Sequence, residues 1–195
     1  MHCSRVFLGA ALAALVVACG NDVSEDEASQ DVSGGNTLCF NNFQNEIYPR
    51  IMNATLPVDL NLDGTPDANA SCANSGCHFD GGNSGGAFRM GQNTPTIDVT
   101  TATRDQVLNS PMYANFLAAK GFANLAQSTQ SKILLEPSAQ VSHGGGRIFV
   151  NLSTPGSCAN ILLNWINLQP TDGDTLNTTV CSTAPPPPPP PACTP

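Results

Sequence analysis

Ser71-Cys72-Ala73-Asn74-Ser75-Gly76-Cys77-His78 places two thiols with four residues between them and an imidazole directly after the second. Thiols and an imidazole in this order suit covalent attachment of a haem. The sulfurs form thioethers with its vinyl groups, and the adjacent imidazole reaches the iron axially. The same residues also suit a disulfide loop with His78 at the surface, because cysteines of exported proteins commonly pair with each other. A third use would be zinc, held by Cys72, Cys77, His78 and a distant ligand.

The stretch and its setting resemble a cytochrome c-like domain of the kind found in bacterial envelope lipoproteins. In that family a Cys-Ala-x-x-Gly-Cys-His element is followed by a Gly-Gly-rich segment and later by a short helix ending in Trp-Ile. The matching residues here are Cys72 to His78, Gly81 to Met90 and Ile161 to Ile166. The four-residue spacer is wider than the usual two and corresponds to a family variant. The resemblance spans roughly residues 38 to 170. It implies a mainly α, small cytochrome c-like helical domain with long Gly/Asn-rich loops, carrying haem c on Cys72 and Cys77 with His78 as proximal axial ligand.

For the distal side of the iron, the mature chain holds one other histidine, His143, in Val141-Ser142-His143-Gly144-Gly145-Gly146. A glycine-rich stretch can bring backbone close to a flat ligand, so His143 is the candidate sixth ligand, with Met90 and Met112 as competing thioether ligands. Exchanging imidazole for thioether raises a haem's reduction potential. With both axial positions filled the iron has no open site for substrate, which favours an electron carrier over an enzyme. The His-Gly-Gly-Gly string also occurs in the oxyanion holes of some lipases, but the chain has no Gly-x-Ser-x-Gly elbow and no further histidine for a triad.

Asp59-Leu60-Asn61-Leu62-Asp63-Gly64-Thr65-Pro66-Asp67 sets oxygen-bearing side chains at positions 1, 3, 5 and 9 and glycine at 6. Asp59, Asn61, Asp63 and Asp67 are thus candidate calcium ligands. Ala70 stands where an EF-hand has its bidentate Glu, so a polar Asx-rich turn is the alternative.

These sites need elements to position them. Phe40, Phe43, Ile47 and Ile51 recur at helical spacing, giving a first helix near 40 to 48 with a kinked turn to Met52 around Pro49. The segment Phe79 to Asn93, with five glycines, reads as a loop. It lacks the Lys-Ser/Thr ending of a phosphate-binding loop. Phe88 and Met90 at its end could cover a porphyrin face. Ser110-Pro111 reads as a helix start, with Met112, Phe116 and Ala119 on one face and Gly121 as the stop. Ser128 is read as the cap of a short helix containing Ile133, Leu134 and Leu135 and ended by Pro137. A last helix, Cys158 to Gln169, carries Ile161, Leu162, Trp165 and Ile166, with Trp165 at its crossing with the first.

The ends of the chain address it. Residues 1 to 18 carry Arg5 and then 13 apolar residues to Ala18, an export signal too short for a permanent span of about 20 residues. Val16-Val17-Ala18-Cys19 resembles a bacterial lipobox, with Cys19 lipidated, and Gly20 after it is the kind of residue that permits transfer to the outer membrane. Residues 19 to 37 read as a lipidated acidic tether. Its five acids and no base leave it too polar to fold, with a reach of roughly 20–25 Å. Residues 171 to 195 read as a polar tail with a stiff run of seven prolines.

Net charge is −8, and loss of the leader leaves six basic against 15 acidic residues, so nucleic acid is excluded as a partner. The partners expected instead are redox proteins of the envelope and the membrane through the lipid anchor. Of eight cysteines, Cys3 leaves with the leader and Cys19 takes lipid. Haem attachment would leave four for two disulfides, and a crossing of first and last helices favours Cys39–Cys158 with Cys181–Cys193. The competing whole-chain reading is a haem-free, disulfide-stabilised surface lipoprotein acting as a binding or structural module.

Overall fold

The computed structural model describes residues 37–81, 86–150, 153–170, 172–176, 181 and 193, all within the unit Asp31–Pro195. The leader, Cys19, nearly all of the tether and the proline run lie outside the described residues. No described helix is long and apolar enough to cross a membrane.

Among the described residues the domain is mainly α, with five α-helices and one two-stranded hairpin. Helix α1 (Phe40–Asn42) runs directly into a π-helix, Phe43–Met52, that continues through Pro49. A kink was expected there. In an α-helix the proline ring meets the carbonyl four residues back. The wider π-turn, seen in the Asn53 N–H bond to Tyr48 O at 2.8 Å, relieves that crowding. Phe40, Phe43, Ile47 and Ile51 form the buried face that their spacing implies.

Strands β1 (Leu56–Val58) and β2 (Ala68–Ala70) pair antiparallel, Leu56 opposite Ala70 and Val58 opposite Ala68, so the Asp59–Asp67 stretch is a hairpin loop. Helix α2 (Arg104–Leu108) begins in a capping box made by Thr103 and Gln106. Helix α3 (Pro111–Lys120) starts at Ser110, whose side chain accepts the Tyr113 N–H, and Gly121 follows its end. Met112, Phe116 and Ala119 are fully buried along it.

Ser128 does not cap the next helix. It opens a single 3-10 turn, Ser128–Gln130, and Ser131 occupies the N-cap position of α4 (Lys132–Leu135). The Ser131 hydroxyl accepts the Asn124 N–H instead of capping its own helix, tying the turn back to the chain that precedes it.

Helix α5 (Cys158–Asn167) is capped by Ser157. The Trp165 ring lies 5.5 Å from that of Phe43, and its Nε1–H donates to Cys39 O at 3.0 Å. Phe116 packs edge-on against Phe40 and Phe43 at 5.6 and 5.7 Å, closing an aromatic centre under the first and last helices.

The disulfides are Cys39–Cys181 and Cys158–Cys193, correcting the pairing expected from the crossing alone. Cys39, at the start of the first helix, meets Trp165. Cys158 lies two turns of α5 away from Trp165, about 10 Å along the axis, beyond the reach of a disulfide. Cys193 sits at the other end of the first helix, with its Sγ 3.3 Å from Arg50 O, and so it takes Cys158. The fold also extends past residue 170: Thr175 O accepts the Phe40 N–H at 3.0 Å, and the Thr175 hydroxyl donates to Leu38 O.

Candidate functional site

The four-residue spacer of the Cys-His motif closes as a turn around Asn74. The Asn74 carbonyl accepts the N–H groups of Cys77 (2.9 Å) and Phe79 (3.2 Å), and its side-chain oxygen accepts the Gly76 N–H at 3.1 Å. His78 N–H then bonds Cys72 O at 3.0 Å, and Ala73 N–H bonds Met52 O at 2.9 Å. The motif is therefore folded back on itself and fastened to the end of the π-helix.

His78 Nδ1 lies 3.0 Å from Phe88 O, and its ring is 4.7 Å from that of Phe88. Across from it, His143 Nδ1 lies 2.9 Å from Gly146 O. A carbonyl only accepts, so each Nδ1 carries the proton, and in the neutral imidazole the lone pair is on Nε2. The two rings are 6.1 Å apart and 13° from parallel.

The last glycine after His143 has a steric purpose. Gly146 has φ +75°, and a Cβ there would lie 2.7 Å from Asp59 O. This close approach lets Asp59 and Arg147 exchange backbone bonds of 2.9 and 2.8 Å, while the Arg147 guanidinium pairs with the buried Asp59 carboxylate. The segment bearing His143 is thus docked on the root of the hairpin loop.

One cavity of about 430 Å³ brings Cys72, Cys77, His78 and His143 together. Its apolar wall includes Ile51, Phe88, Phe122, Ile133, Ile148 and Phe149, and Glu136 adds a single carboxylate. Phe88 was expected here from sequence. Phe122, Ile133 and Phe149 were not, because apolar residues scattered over separate segments give no motif. Met90 and Met112 are buried but are not among the lining residues. Met90 donates its N–H to His78 O at 2.8 Å and so supports the motif through backbone. Met112 lies on α3 in the core.

Cys72 and Cys77 stand outside both disulfides. Burial, and then the neighbouring Cys77, pushes the Cys72 thiol up to about 12, and burial also raises Cys77. Among the described residues no three His, Cys, Asp or Glu side chains converge on a point where they could hold a bare metal ion. The donor set gives the zinc reading no support. What the cavity offers is two thiols, Cys72 and Cys77, and two imidazoles, His78 and His143.

In the hairpin loop the candidate calcium ligands bond to the loop's own amides. Asp59 accepts the N–H groups of Asp63 and Gly64, Asp67 those of Leu60 and Asn61, and Asp63 that of Thr65. Asn61 Nδ2 bonds Asp63 at 3.2 Å. Burial pushes the Asp59 carboxyl up. The Gly64 N–H, the Arg147 side chain and the Leu62 N–H outweigh it and hold the group below its ordinary value.

No protein-family model matches the chain, and no curated protein and no solved structure matches it either.

Proposed function

We propose that the protein is a membrane-tethered c-type haem protein that carries electrons between envelope redox partners. One observation carries the reading: a single cavity gathers Cys72, Cys77, His78 and His143, while Cys39, Cys158, Cys181 and Cys193 are consumed by disulfides. Cys72 and Cys77 would hold haem c covalently, and His78 and His143 would be its axial ligands. Bound there, the haem supplies a one-electron iron couple. The chain's own part is to fix both imidazoles through the Phe88 and Gly146 carbonyls, which also makes Nε2 a stronger donor. The apolar walls exclude water. With His78 and His143 both holding the metal, no place would be left for a substrate there, which favours a carrier over a catalyst.

The disulfides fit an oxidising compartment. Together with the lipobox-like sequence ending at Cys19, they support a lipid-anchored place in the bacterial envelope, at the outer membrane. The Asp59–Asp67 loop is held by its own amides and by the Asp59–Arg147 pair, so the reading needs no calcium there.

The test is expression with c-type maturation machinery, followed by an absorption spectrum, haem staining of a denaturing gel and intact mass. A sharp reduced α band and one haem retained after denaturation are expected. Cys72→Ala should abolish the covalent haem. A colourless protein despite competent maturation would overturn the reading and leave a disulfide-stabilised surface module.

A further inference from the structure

Five large apolar side chains are exposed among the described residues, and three of them share one place: Leu60 (55% exposed), Leu62 (53%) and Val141 (43%) line a shallow cleft of about 400 Å³. His143 lies in the lining of this cleft and also of the deep cavity. The apolar patch therefore opens directly onto the outer side of the candidate sixth ligand. Scattered surface leucines need no explanation, but a cluster at the mouth of a site does.

Leu62 is held at φ +62°, a left-handed conformation that disfavours any residue with a Cβ and that Asn or Gly would adopt more easily. The loop around it is fixed by carboxylate bonds to its amides and by the Asp59–Arg147 pair. It thus presents two leucines to solvent on a rigid support, one of them, Leu62, in a conformation its packing does not reward.

Charge identifies what would cover them. Asp63 and Asp67 are exposed on the same loop and neither is in an ion pair with a described residue. No Lys or Arg lines the cleft, and Arg147 is already engaged by Asp59. The chain as a whole stands at −8.

We infer that the Leu60–Leu62–Val141 cleft is the docking surface for a basic electron-carrying protein, one with an apolar contact face and a Lys/Arg rim. The inference rests on the haem reading for its purpose, because it places the partner at His143. Small, transient contacts are characteristic of redox encounters, and complementary charge sets their rate and orientation more than their affinity.

The test is a titration of the isotope-labelled mature protein with mitochondrial cytochrome c, a basic electron carrier, followed by amide chemical shifts at low and at physiological salt. Shifts should centre on Leu60, Leu62, Val141 and Gly144, and affinity should fall with added salt. Leu62→Asn combined with Val141→Ser should weaken binding tenfold or more, and Leu117→Ser, an exposed leucine outside the cleft, should leave it unchanged. Leu62→Asn alone should raise thermal stability while weakening binding, which a purely structural role for Leu62 would not do. Shifts centred elsewhere, or full affinity in the double variant, would overturn the inference. So would equal binding of an acidic protein, or of neutral phosphatidylcholine vesicles through the same leucines. The absorption spectrum of the same sample separates the two readings: haem without binding at the cleft overturns only the docking surface, and binding at the cleft without haem overturns only the carrier.

Discussion

The imidazoles of His78 and His143 face one cavity with ring centres 6.1 Å apart and planes 13° from parallel. Each is held by the same device, an Nδ1–H donated to a backbone carbonyl, Phe88 O for one and Gly146 O for the other. The arrangement selects one tautomer in both rings and reserves both Nε2 atoms for acceptance or ligation. Sixty-four residues of chain lie between them, so the fold rather than the motif makes the pair.

His143→Ala in the haem-loaded protein should convert a six-coordinate low-spin spectrum to a high-spin one, and added imidazole should restore it. His143→Met should stay six-coordinate and raise the reduction potential, because thioether favours the reduced iron relative to imidazole. Optical redox titration reads both. A low-spin spectrum unchanged in His143→Ala would return the sixth position to Met90 or Met112.

Protein made without haem should show two unequal thiols. Cys72, at about 12 against an ordinary 9.0, presents roughly a thousandfold less thiolate near pH 8 than an unperturbed cysteine. Cys77 is only partly buried. Iodoacetamide at pH 8 should therefore modify Cys77 first, with Cys72 following only in denaturant. Peptide mass mapping checks the order, and equal labelling of the native protein would contradict the burial of Cys72.

Asp59 gives the site a definite response to acid. Its folded pKa is depressed, so its contribution is complete above the ordinary carboxyl value of 3.8 and is lost as pH falls through the lower folded value. Asp98, lowered chiefly by the Thr100 hydroxyl and N–H and by the Thr101 hydroxyl, acts in the same window. Arg147→Ala should raise the pH at which acid unfolding begins. Because Arg147 follows the His143 loop, the same variant should disturb the haem-loaded spectrum at neutral pH, where the protein is still folded. Far-ultraviolet circular dichroism against pH, read beside the Soret band, separates the two effects.

Much of the helical framework was legible because it is written locally. Ser110-Pro111 and Gly121 bound α3 by cap chemistry, and Phe40, Phe43, Ile47 and Ile51 mark one face by spacing alone. The hairpin was not legible: three-residue strands are too short to show alternation, and Pro57 stands in the middle of one. The disulfide pairing was misread because helical periodicity tells which face is buried and not the direction of a crossing. That direction is set by the Trp165 bond to Cys39. At the site, the types and spacing of Cys72, Cys77, His78 and His143 singled them out, and the fold brings all four to one cavity. The cavity wall was not legible, since Phe122, Ile133 and Phe149 become neighbours only through the tertiary fold.

Trp165 offers a way to weaken the frame without touching the site. Its ring is buried against Phe43 and Phe116, its Nε1–H bonds Cys39 O, and it is not among the residues lining the cavity. Trp165→Phe keeps most of the apolar area and removes one hydrogen bond. Cys39 O retains the Phe43 N–H as a donor, so the loss should be about 1 kcal/mol. Trp165→Ala also opens a cavity, for a cost of about 3–5 kcal/mol. For a domain of this size 1 kcal/mol corresponds to roughly 2–8 °C in Tm. Calorimetry should rank the two variants in that order, and the haem-loaded Trp165→Phe protein should keep the wild-type spectrum. If that spectrum shifts while Tm holds, Trp165 acts on the site and not only on the crossing of the first helix with α5.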